Sequence, residues 1–179
     1  MTERSVLSHA DISRAVTRIA HEILESPRRS DRTVLLGIPT RGVTLAERIS
    51  IEMERISGVR PETGALDVTM YRDDLDRRPT RTPHETVIPS SGIDGTTVIL
   101  VDDVLFSGRT IRAAFDALSD IGRARNVQLA VLVDRGHREY PIRADFVGKN
   151  LPSNETERIL VRLGEVDGAD DVTIVEAEA

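Results

Sequence analysis

The stretch Val98-Ile-Leu-Val-Asp-Asp-Val-Leu-Phe-Ser-Gly-Arg-Thr110 decides the fold. Its first four residues are apolar and mostly β-branched, which predicts a central strand buried on both faces. Asp102 and Asp103 end the apolar run, and paired carboxylates at a strand tip are expected to meet water, a cation or hydroxyl donors because burying them is costly. The amphipathic segment Ile111 to Ile121 follows and predicts a helix. This order indicates an α/β protein with a ligand site beyond the carboxyl end of the strand.

The loop between the acids and the helix has the composition of a phosphate site. Gly108 lets the backbone approach a ligand closely, while Ser107 and Thr110 add hydroxyl donors. The helix that follows offers free backbone N–H groups and a positive dipole end to an anion. The carboxylates can accept hydrogen bonds from a ribose diol or lie near Mg²⁺. An ordinary capped strand-turn-helix is the alternative, but paired acids followed by Ser-Gly-x-Thr favour a site for a phosphorylated sugar.

A second strand, loop and helix precede the first. Thr33 to Ile38 is a short apolar run, Pro39-Thr40-Arg41-Gly42 is the loop, and a helix is predicted from about Val43 to Ser57. Arg41 beside Gly42 can present a guanidinium fork and backbone N–H groups to an anion. Alone, this loop fits a plain strand-to-helix turn equally well.

Other elements follow from periodicity. Residues 9 to 26 show apolar side chains at helical spacing, and Val127 to Asp134 predicts another buried strand. Shorter alternating runs predict strands at Leu66 to Tyr71, Arg158 to Leu163 and Val172 to Val175. The intervening stretch Arg72 to Gly95 is long and polar, which is typical of a lid or of a disordered insert.

Composition excludes several classes of function. The chain has 179 residues, which predicts one domain over 1–179, and it has no cysteine for disulfide or thiol chemistry. The net charge of −6 argues against generic nucleic-acid binding, although it permits a local basic face. Dinucleotide-binding, Walker A and G-x-S-x-G motifs are absent, and the four histidines lack metal-ligand spacing. Without a membrane-length apolar run or a signal-peptide pattern, we expect a cytoplasmic protein.

The stretch from Val98 to Thr110 resembles the phosphoribosyl-pyrophosphate (PRPP) signature of the type I phosphoribosyltransferases. The segments Thr17 to Glu22, Leu66 to Leu75 and Gln128 to Asn150 resemble one subfamily, the bifunctional pyrimidine operon attenuators and uracil phosphoribosyltransferases of the PyrR family. This resemblance runs from about Ser8 to Gly168. Two departures stand out: Phe106 replaces a common Tyr, and Tyr140 replaces a usual Leu.

The resemblance implies a type I phosphoribosyltransferase fold, with a central, mostly parallel sheet flanked by helices. It further implies a small hood built from the N-terminal segment and residues of about 140–179. A flexible lid loop of about 72–89 would exclude water from the reacting carbon.

The implied reaction is the conversion of uracil and PRPP to UMP and pyrophosphate. Mg²⁺ would be held mainly by PRPP, near Asp102 and Asp103 and without direct protein ligands. The resemblance implies catalytic roles for Asp102, Asp103, Arg41 and Arg72. The implied binding residues for PRPP or UMP are Thr40, Arg41, Asp102, Asp103, Val104, Leu105, Phe106, Ser107, Gly108, Arg109, Thr110, Arg135, Leu160 and Val161.

The same resemblance implies a second function, UMP-dependent binding of a hairpin in pyrimidine operon messenger RNA, by a homodimer or higher oligomer, with UMP or UTP as nucleotide partner. Its implied RNA face comprises Thr17, Arg18, His21, Thr40, His137, Arg138, Arg143 and Lys149. Two alternatives remain: an enzyme without an RNA role, and a regulator that has lost activity. The level of control, transcription or translation, also stays open.

Overall fold

The computed structural model describes residues 3–74 and 82–176, which form two sheets and their covering helices. In chain order the elements are β1 (Glu3–Ser8), α1 (His9–Glu25), β2 (Thr33–Gly37), α2 (Arg41–Ser57), β3 (Glu62–Ala65), a 3-10 turn (Thr69–Tyr71), β4 (Thr97–Leu105), α3 (Arg109–Ile121), β5 (Asn126–Asp134), β6 (Phe146–Asn150), β7 (Glu157–Arg162), α4 (Gly164–Asp167) and β8 (Asp171–Glu176).

The larger sheet has five parallel strands in the order β3-β2-β4-β5-β6. Helices α1 and α2 cover one face and α3 covers the other, so the apolar runs of β2, β4 and β5 are buried on both sides. The predicted α/β fold with a central parallel sheet is therefore confirmed. Its strand order places the carboxyl ends of β2 and β4 side by side.

The smaller sheet is antiparallel, with the order β1-β8-β7. We call this sheet and α4 the hood. Its apolar side chains, such as Val161 and Leu163, join the core that α1 and α2 form. The sequence-based hood segment of 140–179 included β6, which is instead an edge strand of the larger sheet.

Helix α1 illustrates how local chemistry sets an element's start. The Ser8 hydroxyl accepts from the Asp11 N–H, and the Asp11 carboxylate accepts from the Ser8 N–H, which completes a capping box. These hydrogen bonds from Ser8, with help from Arg14, lower the pKa of Asp11 to about 2. Among the described residues, no helix combines the length and apolarity needed to cross a membrane.

The strand predicted at Leu66 to Tyr71 is wrong. Leu66 and Val68 are buried, but the strand ends at Ala65 and the segment turns into the 3-10 turn, which leaves Met70 72% exposed. The apolar residues alternate because a loop packs against α3, and not because the segment pairs with a neighbouring strand. The true edge strand, β3, is too poor in β-branched residues to be recognised.

Only part of the predicted lid lies in the described chain. Residues 75–81 fall outside the described ranges, so the lid remains a prediction. On its far side, Val87 donates from its N–H to the Ala65 carbonyl at 2.8 Å and accepts the reciprocal bond at 2.9 Å. The polar stretch therefore returns to the edge of the larger sheet before β4 begins.

Candidate functional site

Two strand-to-helix loops meet at the carboxyl edge of the larger sheet. The Ile38 N–H, at the end of β2, donates to the Val101 carbonyl of β4 at 2.8 Å. A Cβ atom on Gly42 would lie only 2.4 Å from that same carbonyl oxygen. Glycine is therefore required for the first turn of α2 to lie against β4 beside the acids.

The paired acids differ in their surroundings. Strand β4 continues through them to Leu105, and Asp102 is only 8% exposed, whereas Asp103 is half-buried. Of the two carboxylates, Asp102 is therefore largely shielded from solvent, while Asp103 is the more accessible to a ligand. Burial, and then the negative charge of Asp103, raise the pKa of Asp102 well above its ordinary value. Hydrogen bonds from the Asp103 N–H to Asp102, at 2.9 Å, and from the Val104 N–H to Asp103, at 2.8 Å, fix both side chains.

The loop after the acids curls around Gly108, whose φ of +91° favours glycine. The Ser107 carbonyl accepts from the N–H groups of Glu139 and Tyr140, at 2.9 and 3.1 Å, and so attaches this loop to the segment after β5. No side chain caps the start of α3. The Arg109 N–H donates to the Ser107 hydroxyl at 3.4 Å, whereas the N–H groups of Thr110 and Ile111 make no hydrogen bond within the described ranges and are available to an anion.

The predicted catalytic residue Arg72 lies across the same loop. Its guanidinium donates to the Thr110 hydroxyl at 2.5 Å and makes a two-point contact with Asp74 at 2.8 and 2.7 Å. Its positive charge also acts on Asp102, where it opposes the rise in pKa. Arg72 thus joins the base of the predicted lid to the predicted phosphate loop, Ser107 to Thr110, and its charge acts on the acids.

A second link joins the lid base to this loop. Arg109 donates to Asp73 at 2.8 Å and to Glu139 at 2.6 Å, and its guanidinium lies 5.2 Å from the centre of the Tyr140 ring. The Tyr140 hydroxyl donates to Asp73 at 3.1 Å. The departure from Leu at position 140 therefore adds a ring and a hydroxyl at the phosphate loop.

Arg41 begins α2, directly after the exposed Thr40 and a cis Pro39–Thr40 peptide bond. Its Nε and Nη2 atoms donate to the two carboxylate oxygens of Asp167, in α4 of the hood, at 3.0 and 2.7 Å. This pairing raises the pKa of Arg41 and lowers that of Asp167. No sequence pattern indicated this pairing of residues 126 positions apart.

Arg135 and Phe106 form the centre of the predicted base pocket. The Arg135 guanidinium lies 4.2 Å from the centre of the Phe106 ring and donates to the Asn154 carbonyl at 2.8 Å. Its Nε atom is buried without a hydrogen-bond partner among the described residues, and burial lowers the pKa of the side chain. In the hood, Leu160 is 40% exposed while Val161 is buried.

Several predicted RNA-binding residues lie where α1 crosses β6. Arg18 donates to the Val147 carbonyl at 3.1 Å and also to the Gly148 carbonyl, beside the exposed Lys149. His21 is exposed one turn further along α1, and Thr17 donates to Glu52 at 3.1 Å. The structure therefore brings Arg18 and Lys149 to one surface, which we call the α1–β6 face.

Arg138 has a different environment. It donates to the Phe106 carbonyl at 2.9 Å, to the Ile142 carbonyl at 2.8 Å and to Asp134 at 2.6 Å. Although Arg138 was predicted to bind RNA, this side chain supports the loop that contains Phe106. His137 contacts the Ser153 carbonyl at 2.5 Å through Nε2, and Arg143 is exposed.

Sequence reasoning missed the supporting residues of the site. Asp74 and Asp167 each accept hydrogen bonds from an arginine that was predicted to be catalytic. The Asn154 carbonyl accepts a hydrogen bond from Arg135. The excess of carboxylates in 165–171 was the one local signal available.

Solved structures share the fold. A hypoxanthine-guanine phosphoribosyltransferase from Bacillus anthracis superposes with a TM-score of 0.72 at 16% identity, covering 96% of this chain and 98% of that one. The hypoxanthine phosphoribosyltransferase of Trypanosoma cruzi gives a TM-score of 0.71 at 14% identity, covering 98% and 97%. At such identities the likeness concerns the fold alone.

Sequence relatives are much closer. The family model of the phosphoribosyl transferase domain matches residues 4–164. The bifunctional protein PyrR of Leifsonia xyli is 67% identical and both chains are covered in full. The bifunctional protein PyrR of Streptomyces coelicolor is 61% identical, with 96% of this chain and 89% of that protein covered. The chain therefore belongs to the phosphoribosyltransferase family and, within it, to the bifunctional PyrR proteins.

Proposed function

We propose that this chain is a uracil phosphoribosyltransferase, which converts uracil and PRPP to UMP and pyrophosphate, and that it also regulates pyrimidine biosynthesis genes by binding RNA. The observation that carries the enzyme is the backbone contact between the loop at Arg41 and the strand that bears Asp102 and Asp103. It sets carboxylate acceptors for a sugar diol beside cationic donors for a pyrophosphate. A phosphorylated sugar with two anionic ends needs both.

The phosphate loop holds the 5′-phosphate of the substrate. Ser107 and the uncapped first turn of α3 supply hydroxyl and backbone N–H donors. Arg72 keeps the Thr110 hydroxyl in place at the other side of the loop. Asp103, the more exposed acid, accepts from the ribose hydroxyls, while the buried Asp102 fixes the backbone beneath it.

Pyrophosphate lies at the other loop. Thr40 and Arg41, with the N–H groups that begin α2, neutralise its charge as it leaves. The donor set at the acids also suits Mg²⁺, which prefers few carboxylates together with substrate oxygens. Within residues 3–74 and 82–176, no cluster of three acidic or histidine side chains is arranged to hold a metal without substrate. Mg²⁺ bound through PRPP would neutralise pyrophosphate charge near Asp102 and Asp103.

Uracil occupies the space between Phe106, Arg135 and the exposed Leu160 of the hood. The unpartnered Nε of Arg135 offers a donor to a pyrimidine carbonyl, and backbone at Leu160 and Val161 reads the edge of the base. Uracil N1 then bonds to the anomeric carbon as the bond from that carbon to pyrophosphate breaks, and the N1 proton passes to the departing pyrophosphate or to solvent. This chain contributes by positioning both reactants and by balancing charge at the leaving group.

We further propose that Arg72 to Pro89 closes over this site as a lid. Arg72 and Asp73 already attach its base to the phosphate loop. Hydrogen exchange should show stronger protection of this segment with UMP bound; full protection without ligand would contradict a lid.

RNA binding is assigned to the α1–β6 face, extended by His137 and Arg143. Exposed cationic side chains on this face offer phosphate contacts on a protein of net charge −6. A folded RNA loop is recognised by such local contacts and by stacking, and not by bulk charge. The face lies on the side of the larger sheet that α1 and α2 cover.

The test separates the two functions with matched variants. Lys149→Ala and His21→Ala remove exposed side chains and should weaken binding of a pyrimidine operon hairpin by roughly 1–3 kcal/mol, with UMP synthesis unchanged. Arg138→Ala should lower both, because it removes the donor to the Phe106 carbonyl. RNA affinity with and without UMP, and UMP synthesis, are measured on the same preparations. No RNA binding by the parent protein would leave the enzyme as its sole function.

A further inference from the structure

Helix α2 presents two arginines to the hood. Arg41 pairs with Asp167, and Arg48, two helical turns further on, donates to both Glu165 and Asp170. Two arginines of one helix thus form ion pairs with three carboxylates from a six-residue segment of the hood. Only Arg41 belongs to a loop that we assign to substrate.

The contact with Asp167 uses one edge of the Arg41 guanidinium. Nε and Nη2 are engaged, whereas Nη1 makes no hydrogen bond within the described ranges. The negative charge of Asp103 also acts on Arg41 and contributes to its raised pKa. The guanidinium is therefore held by the hood along one edge, and its Nη1 atom remains available to a ligand.

We propose that Asp167 is a positioning residue that orients Arg41 for pyrophosphate. This inference rests on the proposed role of Arg41. A free arginine side chain has many rotamers, and each must be given up when an anion binds. A carboxylate that holds the Nε edge beforehand removes most of that cost, while the other edge keeps its donors.

Asp167 is itself fixed before any ligand arrives. Its Oδ2 atom also accepts from the Leu163 N–H at 2.8 Å, which closes the turn of α4. The same turn is anchored by Asp170, which accepts from the Gly164 N–H at 2.6 Å and from Arg48 at 2.8 and 2.9 Å. The hood that reads the base is thereby attached to the loop that takes the pyrophosphate.

Glu165→Gln is the matched control. Glu165 lies in the same turn and pairs with the same helix, but it contacts Arg48 and not Arg41. If Asp167 served only to dock the hood, the two substitutions would have similar effects. Asp167→Asn keeps an oxygen for the Leu163 N–H and removes the charge and the second acceptor.

The experiment is a double-mutant cycle on the full chain. Arg41→Ala, Asp167→Ala and the double variant are compared with the parent for kcat, for KM of PRPP and for inhibition by pyrophosphate. Asp167→Ala and Asp167→Asn should each raise KM for PRPP and the inhibition constant of pyrophosphate about tenfold. The double variant should be no worse than Arg41→Ala, and Glu165→Gln should leave both constants unchanged.

Three results overturn the inference. One is an equal loss from Asp167→Ala with and without Arg41, which would show that the two act independently. Another is recovery of Asp167→Ala at high Mg²⁺ concentration, which would assign the carboxylate to the metal. The third is an equal effect of Glu165→Gln. If Arg41→Ala itself leaves both constants unchanged, the assignment of pyrophosphate to Arg41 fails instead.

Discussion

The two loops at the carboxyl edge treat charge in opposite ways. Near the end of β4, two carboxylates lie next to each other, and the buried one has a raised pKa. After β2, Arg41 meets a carboxylate of the hood, and attraction stabilises both ionised forms. Both loops follow a buried strand and precede a helix, so local architecture does not explain the difference.

The contrast indicates what each loop has to do. Like charges held together are unfavourable until hydroxyl donors of a ligand or a cation offset them, so we expect substrate to stabilise the acids. An arginine already paired on one edge loses little freedom when it binds an anion on the other. One loop thus gains stability from the ligand, whereas the other is ordered beforehand.

Removing charge from either loop should have the largest effect. Asp103→Asn and Arg41→Ala should each lower the rate of UMP synthesis by a factor on the order of 10²–10³, because each removes an electrostatic contact to the reacting molecule. Steady-state kinetics on folded variants measures this. Near-normal turnover in either variant would refute the site assignment for that loop.

Adding a methyl group at Gly42 tests the close contact between the loop after β2 and strand β4. Gly42→Ala places Cβ 2.4 Å from the Val101 carbonyl, a backbone atom that must shift, so we expect a loss of about 1–3 kcal/mol in the free energy of unfolding and reduced activity. Gly58→Ala is the control, because its added atom meets nothing within 4 Å and reports only the strain of its φ of +77°. Urea unfolding that finds Gly42→Ala no worse than Gly58→Ala would mean that the loops are not in tight contact.

The buried acid should make a smaller, pH-dependent contribution. The pKa of Asp102 is raised from its ordinary 3.8, so between that pH and the native pKa the folded protein binds more protons than the unfolded chain. Native stability therefore falls as pH rises through this window, and the loss is complete above it. Asp102→Asn should raise the melting temperature by a few degrees at neutral pH and have little effect below the window. An unchanged difference between variant and parent across this pH range would contradict the burial of a raised-pKa carboxyl.

While the resemblance to a family implied the parallel sheet, the residues alone determined the α/β class, the two strand-loop-helix units and the residue types at the strand ends. Each of these depends on neighbours within about ten residues, where apolar periodicity and loop composition are strong signals. The same local signal was misleading at Leu66 to Tyr71, where alternation came from packing against α3. Residues such as Asp102 and Arg41 were recognised by type and spacing.

Only the tertiary structure decided how those residues are held. Asp167 contacts Arg41, 126 positions away in the chain, because the hood folds back over the carboxyl edge of the sheet. Arg138 donates to the Phe106 carbonyl, 32 positions away, because the loop after β5 returns to the same edge. Burial of Asp102 likewise depends on strands and loops that are distant in the chain. These long-range contacts set the pKa of each side chain and limit its rotamers. Local sequence patterns do not reveal such contacts, because the partners are far apart in the chain.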